Sequence, residues 1–326
     1  MSDVVLRELG RSGLKIAPLV LGGNVFGWTA DERASHAVLD AAVAAGINMI
    51  DTADAYSAWV PGHKGGESET VIGSWLKKSG KRGQVLIATK VGHEMAPGRG
   101  GLSRAHILRS IDESLRRLQT DHVDLYQAHI DDAKVPLEET LGAFDELVKS
   151  GKVRALGASN HGAARLAQAL EVSHRNGWAR YESLQPWYNL HDRADFEGEV
   201  QERCQRENVG VICYFALASG FLTGKYRSEA DLAGRPRAMA VKGNLNARGL
   251  RILAALDAVA ARHDATPAQV ALAWIVAHGV TAPIASATTV PQLQEIAGSM
   301  RLRLDADSVR ELDAASVGSE PRRPPG

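Results

Sequence analysis

Three apolar runs in the first half of the sequence end on a residue that can ionise. Residues 47–51 (INMID) end on Asp51, 85–90 (VLIATK) on Lys90 and 123–129 (VDLYQAH) on His129, and Tyr56 stands five positions past the first. A structural strand has little reason to carry a lysine, because an unpaired buried ammonium is expensive. Placed together, the four types make a proton-transfer device. A tyrosine hydroxyl has an ordinary pKa of about 10, too high for exchange near neutrality, and a nearby ammonium lowers it. Tyr56 is then the general acid, Lys90 its tuner, Asp51 the partner that holds the lysine, and His129 a donor that orients a carbonyl oxygen. Each also has a plain structural alternative: a capped turn, a loop side chain, a solvated lysine, a strand-end histidine. Three successive strands ending in Asp, Lys and His, with Tyr just after the first, favour the chemical reading. Such proton transfer supplies about 10²- to 10⁴-fold, so the remaining rate must come from a hydride donor held close to the carbonyl carbon.

Convergence of strand ends requires a particular scaffold. Strand-like runs at 18–23, 47–53, 85–91, 123–129, 153–159, 181–189, 210–217 and 280–286 alternate with helical patterns. Residues 34–45, 107–118 and 137–149 show helical spacing best, with Ser103 placed to cap the second, and Gly46 and Gly151 placed to end helices. About eight βα units with strands apolar on both faces predict an α/β fold, a (β/α)8 TIM barrel, whose active site lies at the C-terminal ends of the strands. Residues 4–16 predict an N-terminal β-hairpin (1–17) plugging the bottom of the barrel. An open dinucleotide-binding sheet would need GxGxxG after its first strand; LGGNVFG, with glycines at 22, 23 and 27, has the wrong spacing. No Pro/Gly/Ser-rich linker divides the chain, so 1–326 is expected to be one domain, with 227–249 a mobile loop over the cofactor and 318–326 a disordered tail.

Composition narrows the function. With 38 Lys+Arg against 38 Asp+Glu, the chain presents no net field to attract nucleic acid or anionic lipid. It has no secretory leader pattern and no apolar stretch long enough to span a bilayer. Two cysteines, Cys204 and Cys213, are too few for a disulfide framework, which favours a reducing cytoplasm. No metal is expected: His93 and Glu94 begin an HExx pattern, but Pro97 stands where its second histidine belongs.

At DTADAY (51–56), GESET (66–70), ATK (88–90), SLRRLQTDHVDLYQAHIDD (114–132), GKVRALGASN (151–160), QPWYNL (185–190) and LASGFLTGKY (217–226), the sequence resembles the aldo-keto reductase family. The likeness is to its bacterial branch related to the potassium-channel β-subunits, and it runs nearly end to end. The resemblance implies the same barrel, the same four catalytic residues, and reduction of an aldehyde or ketone with NADPH, which supplies the missing hydride donor. It implies that Ser159, Asn160 and Gln185 bond the nicotinamide carboxamide, that Tyr214 stacks on the ring, and that Gly23 borders the cofactor. Ser219, backbone amides near Leu217 and Gly220, and Lys225 would meet the pyrophosphate; Ser286, Thr288, Gln292 and Glu295 would line the adenosine 2′-phosphate site. Thr288 stands where the family carries Arg or Lys and Ile296 where it carries Asn, so NAD or dual use is the alternative to NADP. Phe215 and Ala216 replace a usual Ser-Pro pair.

Trp28, Trp59 and Trp187 fall on or near the active rim and suit an apolar or aromatic carbonyl, or a sugar stacked on indole. The partner expected is therefore a small carbonyl compound, with no nucleic acid or membrane and with oligomerisation left open. Two rivals differ in class: a cofactor-binding redox-sensing regulatory subunit with slow turnover, and a cofactor-independent barrel isomerase or lyase.

Overall fold

The computed structural model describes residues 4–234 and 238–320. A two-stranded antiparallel hairpin, β1 (Arg7–Glu8) and β2 (Lys15–Ile16), precedes eight parallel strands. These are β3 (Val20–Gly22), β4 (Met49–Asp51), β5 (Leu86–Val91), β6 (Val123–Ala128), β7 (Val153–Ser159), β8 (Tyr181–Gln185), β9 (Gly210–Cys213) and β10 (Ala282–Ala285). They close into a barrel in the order β10-β3-β4-β5-β6-β7-β8-β9, as expected. Helices form the outer layer: α1 (Glu32–Ala45), α2 (Glu67–Ser79), α3 (Arg104–Leu118), α4 (Leu137–Lys149), α5 (Ala163–Asn176) and α6 (Glu199–Glu207). Five more follow: α7 (Ala238–Lys242), α8 (Ala247–Arg262), α9 (Pro267–Ala277), α10 (Val290–Ala297) and α11 (Ala306–Ser316). No helix among the described residues is long and apolar enough to cross a membrane.

The helix starts follow from side chains that satisfy orphan amides. Asp31 accepts from the Ala34 amide and sets α1 two residues earlier than the periodicity predicts; Ser103 caps α3 through the His106 amide. Thr266 and Gln269 form a reciprocal capping box ahead of Pro267 at the first turn of α9. Gly46 ends α1 in the left-handed conformation at φ 90°.

Strand period two sorts the barrel interior into layers. Val20, Met49, Ala88, Leu125, Ala155, Ile212, Ala282 and Ile284 pack together as its lower filling, and the hairpin's Leu9, Leu14 and Ile16 join the same cluster from below. The hairpin is thus the expected plug. Its turn fits only without a side chain: a Cβ on Gly10, at φ 59°, would lie 2.2 Å from the Glu182 carbonyl oxygen. Arg7 fastens it further by donating to the Val280 and Thr281 carbonyls at 2.6 and 2.9 Å. Outward residues of the same strands, including Ile50, Ile87, Tyr126 and Leu156, belong to the larger core between barrel and helices.

Two boundary expectations are revised. Segment 227–249 is not a plain loop: it holds a 3₁₀ turn at Glu229–Leu232, closed by a Ser228/Asp231 capping box, then α7 and the start of α8. Residues 235–237 within it lie outside the described residues. Of the expected tail, 321–326 also lie outside, whereas Ser319 is docked, its hydroxyl accepting from the Arg193 and Ala194 amides.

Candidate active site

One step up each strand from the apolar filling, period two places polar side chains in the same interior column: Asp51 above Met49, Lys90 above Ala88, Gln127 above Leu125. Lys90 is fully buried and Asp51 is 1% exposed. The Lys90 ammonium donates to Asp51 Oδ2 at 2.7 Å, to the Thr52 carbonyl at 2.8 Å and to the Tyr56 hydroxyl at 2.8 Å. These three acceptors use all its protons, which is what a buried ammonium needs. Tyr56 reaches back to Asp51 Oδ2 at 3.3 Å. The second oxygen, Oδ1, accepts from Gln185 at 2.9 Å and Gln127 at 3.3 Å. The expected trio is therefore assembled, and Gln127 joins it; an amide two positions beyond Leu125 on one strand was the available signal.

His129 follows β6, anchored by its amide to the Val91 carbonyl at 2.9 Å. Its ring lies edge-on to Tyr56 with centroids 6.0 Å apart, and edge-on to His93 at 4.1 Å. Burial, the Lys90 charge and His93 hold its pKa well below the ordinary histidine value, so the ring is neutral and offers one N–H. The tyrosine departs from expectation. Burial and the Asp51 charge push the Tyr56 pKa well above 10 rather than Lys90 drawing it down. Asp51 shares the ammonium and cancels much of its field; burial also lowers the Lys90 pKa against that same carboxylate. Tyr56 accordingly holds its proton at neutral pH.

The second group of expected residues sits across the rim on β7, β8 and β9. Ser159 donates to the Gln185 carbonyl at 2.8 Å, Asn160 donates to the His129 carbonyl at 3.1 Å and to Ser159 Oγ at 3.2 Å, and Tyr214 donates to Asn160 Oδ1 at 2.7 Å. Asn160 is left-handed at φ 58°, which turns its amide over the rim. Beyond β9, Phe215, Ala218, Ser219 and Gly220 have φ of 56, 47, 58 and 94°. This left-handed strip is strained at its three non-glycine residues, and its Ala218 amide turns back to the Phe215 carbonyl at 2.7 Å. The Gly220 amide itself bonds the Leu217 carbonyl at 2.8 Å, while the Lys225 ammonium would lie 3.2 Å from a Cβ on Gly220. Lys225 is exposed, its ammonium 5.1 Å from the Tyr226 ring centre.

At the last strand, Ser286 bonds Asn24. Thr288 donates through amide and hydroxyl to Gln292 Oε1 at 2.9 and 3.0 Å, and the Glu295 carbonyl accepts from Gln269. Ile296 is buried in the core, so the position where Asn is usual faces away from solvent. Gly23 packs on the chain itself, with Ser68 Oγ 3.0 Å and the Asp51 carbonyl 3.2 Å from a hypothetical Cβ. Trp28 and Trp59 meet edge-on at 5.8 Å, and Trp59, 55% exposed, also stands edge-on to Tyr56 at 6.1 Å. Trp187 stacks on Phe215 at 4.0 Å and donates to Asp192 at 2.9 Å. The two aromatic pairs stand on different strand ends.

Eight parallel strands thus close into a (β/α)8 barrel that holds an ammonium, a phenol and a carboxylate interlocked at its C-terminal rim. The model of the Aldo/keto reductase family matches residues 18–317, and the chain belongs to that family. Its relatives include the Escherichia coli protein tas, 34% identical, with 94% of this chain and 96% of that protein covered. The Bacillus subtilis uncharacterized oxidoreductase YrpG is 35% identical with 94% of each covered, and the Schizosaccharomyces pombe aldo-keto reductase yakc [NADP(+)] is 31% identical, with 90% and 87% covered.

Proposed function

We propose that this protein is an NADP(H)-dependent oxidoreductase that reduces an aldehyde or ketone to an alcohol, with Tyr56 as general acid. The observation that carries the reading is the buried Lys90 ammonium bonded to Asp51 and to the Tyr56 hydroxyl at 2.7 and 2.8 Å. Tyr56 keeps its proton until a carbonyl oxygen takes it, and the phenolate left behind faces a positive charge already in contact. The neutral His129 ring donates its N–H to the same carbonyl oxygen. The cofactor, when bound, supplies the hydride. Asn160 and Gln185 offer amide edges for its carboxamide, with Ser159 beside them, Tyr214 a ring face for the nicotinamide, and the left-handed strip from Phe215 to Gly220, with Ser219, Leu217 and Lys225, a cradle for its phosphates. At the adenosine end, Ser286, Thr288, Gln292 and Glu295 include no guanidinium or ammonium, so NAD or dual use is the alternative to NADP.

Trp28 and Trp59 on one side of the rim and Trp187 on the other favour an apolar or aromatic carbonyl. Two buried free thiols, Cys204 and Cys213, suit a reducing cytoplasm. The test is to titrate NADPH and NADH by fluorescence, then follow their consumption over a panel of aldehydes, ketones and sugars, with Tyr56→Phe as control. That variant should keep cofactor affinity and lose about 10²- to 10⁴-fold in turnover. Unchanged turnover would assign the proton to another group. Binding without turnover on any carbonyl would favour a redox-sensing subunit, and no binding of either nucleotide would overturn the reading.

A further inference from the structure

His93, the histidine of the incomplete HExx pattern, stands beside the reacting groups without a part in the proton transfer itself. β5 ends at Val91, and Gly92 follows it at φ 131°, a backbone angle at which a side chain is strained. A Cβ there would also meet Leu102 Cδ2 at 3.0 Å and Ile130 Cγ1 at 3.2 Å. The Gly92 carbonyl accepts from the Gly101 amide at 2.8 Å, which pins the turn. This turn delivers the next side chain onto His129. The two imidazole centres are 4.1 Å apart and their planes lie at 79°, an edge-to-face contact.

A donor to a reacting oxygen has to be aimed, and a histidine is usually aimed by a hydrogen bond on its other ring nitrogen. His129 lacks one. Its Nδ1 is buried and has no hydrogen-bond partner among the described residues. Its backbone is fixed on both sides, the amide on the Val91 carbonyl at 2.9 Å and the carbonyl under the Asn160 side-chain amide at 3.1 Å, but neither bond restrains rotation of the ring. Two aromatic rings border it instead, Tyr56 at 6.0 Å and His93 at 4.1 Å between centres. Tyr56 is the group that changes in the reaction, so His93 is the contact that stays. Desolvation and the Lys90 charge lower the pKa of both histidines, so two neutral rings meet at pH 7 and the contact is one of packing.

We propose that His93 is a positioning residue for carbonyl reduction: its ring, packed edge to face on His129, replaces the missing hydrogen bond at Nδ1 and keeps the His129 N–H aimed at the carbonyl oxygen. The proposal rests on the reading that His129 donates to that oxygen. An edge-to-face contact is directional, because the edge and the face of an aromatic ring carry opposite partial charge, so it resists rotation where an aliphatic neighbour would not. His93 acts through His129 alone.

The experiment measures kcat for carbonyl reduction at saturating cofactor, the NADPH dissociation constant and the melting temperature in the wild type, His93→Ala and His93→Phe. His93→Ala should lower kcat about three- to tenfold, the range of one aromatic contact, and leave cofactor affinity and melting temperature as they are. His93→Phe keeps a flat ring and loses both nitrogens, and should recover kcat to within about twofold of the wild type. An unchanged kcat in His93→Ala would overturn the proposal. So would a His93→Phe protein as slow as His93→Ala, since the nitrogens and not the ring would then matter, or a loss of kcat in step with a lower melting temperature, the mark of a merely structural role. Long-range proton–nitrogen NMR of the histidine rings gives a readout that needs no turnover. His129 should show a single tautomer in the wild type and in His93→Phe and a mixture in His93→Ala; one tautomer in all three proteins would overturn the proposal. If His129→Ala reduces carbonyls as fast as the wild type, the reading of the reaction fails while the NMR difference persists, so the two failures are told apart.

Discussion

Replacing Lys90 by methionine tests whether the buried ion pair is a coupled unit. Methionine fills most of the lysine stem's volume and removes only the ammonium, leaving Asp51 with the amides of Gln185 and Gln127 at 2.9 and 3.3 Å and no cation in contact. Breaking a buried pair by removing one partner costs about 3–5 kcal/mol, because the remaining charge has lost both water and counter-charge. For 326 residues, an unfolding entropy of about 2 cal/mol/K per residue gives about 0.7 kcal/mol/K, so the melting temperature should fall by about 4–7 °C. Adding Asp51→Asn removes the stranded charge while keeping an oxygen for the two glutamines. The double variant should therefore be more stable than Lys90→Met alone, with a coupling energy of about 2 kcal/mol or more. Urea and thermal unfolding of the four proteins measure this cycle directly. Additive effects, or a Lys90→Met protein melting within a degree of the wild type, would refute the account of the pair as mutually dependent.

Two further outcomes follow from the same geometry. Asp54, 1% exposed and with neither carboxyl oxygen hydrogen-bonded among the described residues, carries its proton in the folded protein up to about pH 8, whereas an unfolded aspartate releases it near 4. The folded state binds the extra proton between these values, so Asp54 subtracts stability as pH rises from about 4 to 8, by up to about 1.4 kcal/mol per unit. The stability difference between Asp54→Asn and wild type should widen in the variant's favour over that window in urea titrations; a constant difference would contradict it. Thr288→Arg should tighten NADPH by about tenfold over NADH, measured as the ratio of dissociation constants, by supplying a guanidinium for the 2′-phosphate. An unchanged ratio would place the phosphate elsewhere.

The polar strand ends were legible because two signals coincided. Asp51 and Lys90 terminate apolar runs, and the same period of two that puts Met49 and Ala88 inside the barrel carries them inside as well. The hairpin plug was equally visible in the apolar residues flanking Gly10, since a barrel bottom has to be covered. Tyr56 does lie against Lys90 and Asp51, but the direction of its titration was not legible, because burial and the Asp51 charge act through distances that no spacing encodes. Gln127 escaped notice because an amide in an apolar strand carries no chemistry by itself; its meaning comes from Asp51 and Gln185, contributed by other strands. Asp54 was hidden for a related reason. It lies in the turn after β4, where no periodicity says which way a side chain points.

The arrangement of the rim also bears on how this protein can change. Asp51, Tyr56, Lys90 and His129 occupy one arc of the barrel, from β4 to β6, and lie within the first 129 residues; Ser159, Asn160, Gln185, Tyr214 and the left-handed strip occupy the opposite arc, from β7 to β9. Few bonds cross between them, among them Asn160 to the His129 carbonyl and Gln185 to Asp51. Drift in the later arc can alter what is held there while the interlocked trio stays as it is. The proposed division makes the grip on the nicotinamide and the proton chemistry separately heritable traits, open to independent selection within one unbroken sheet.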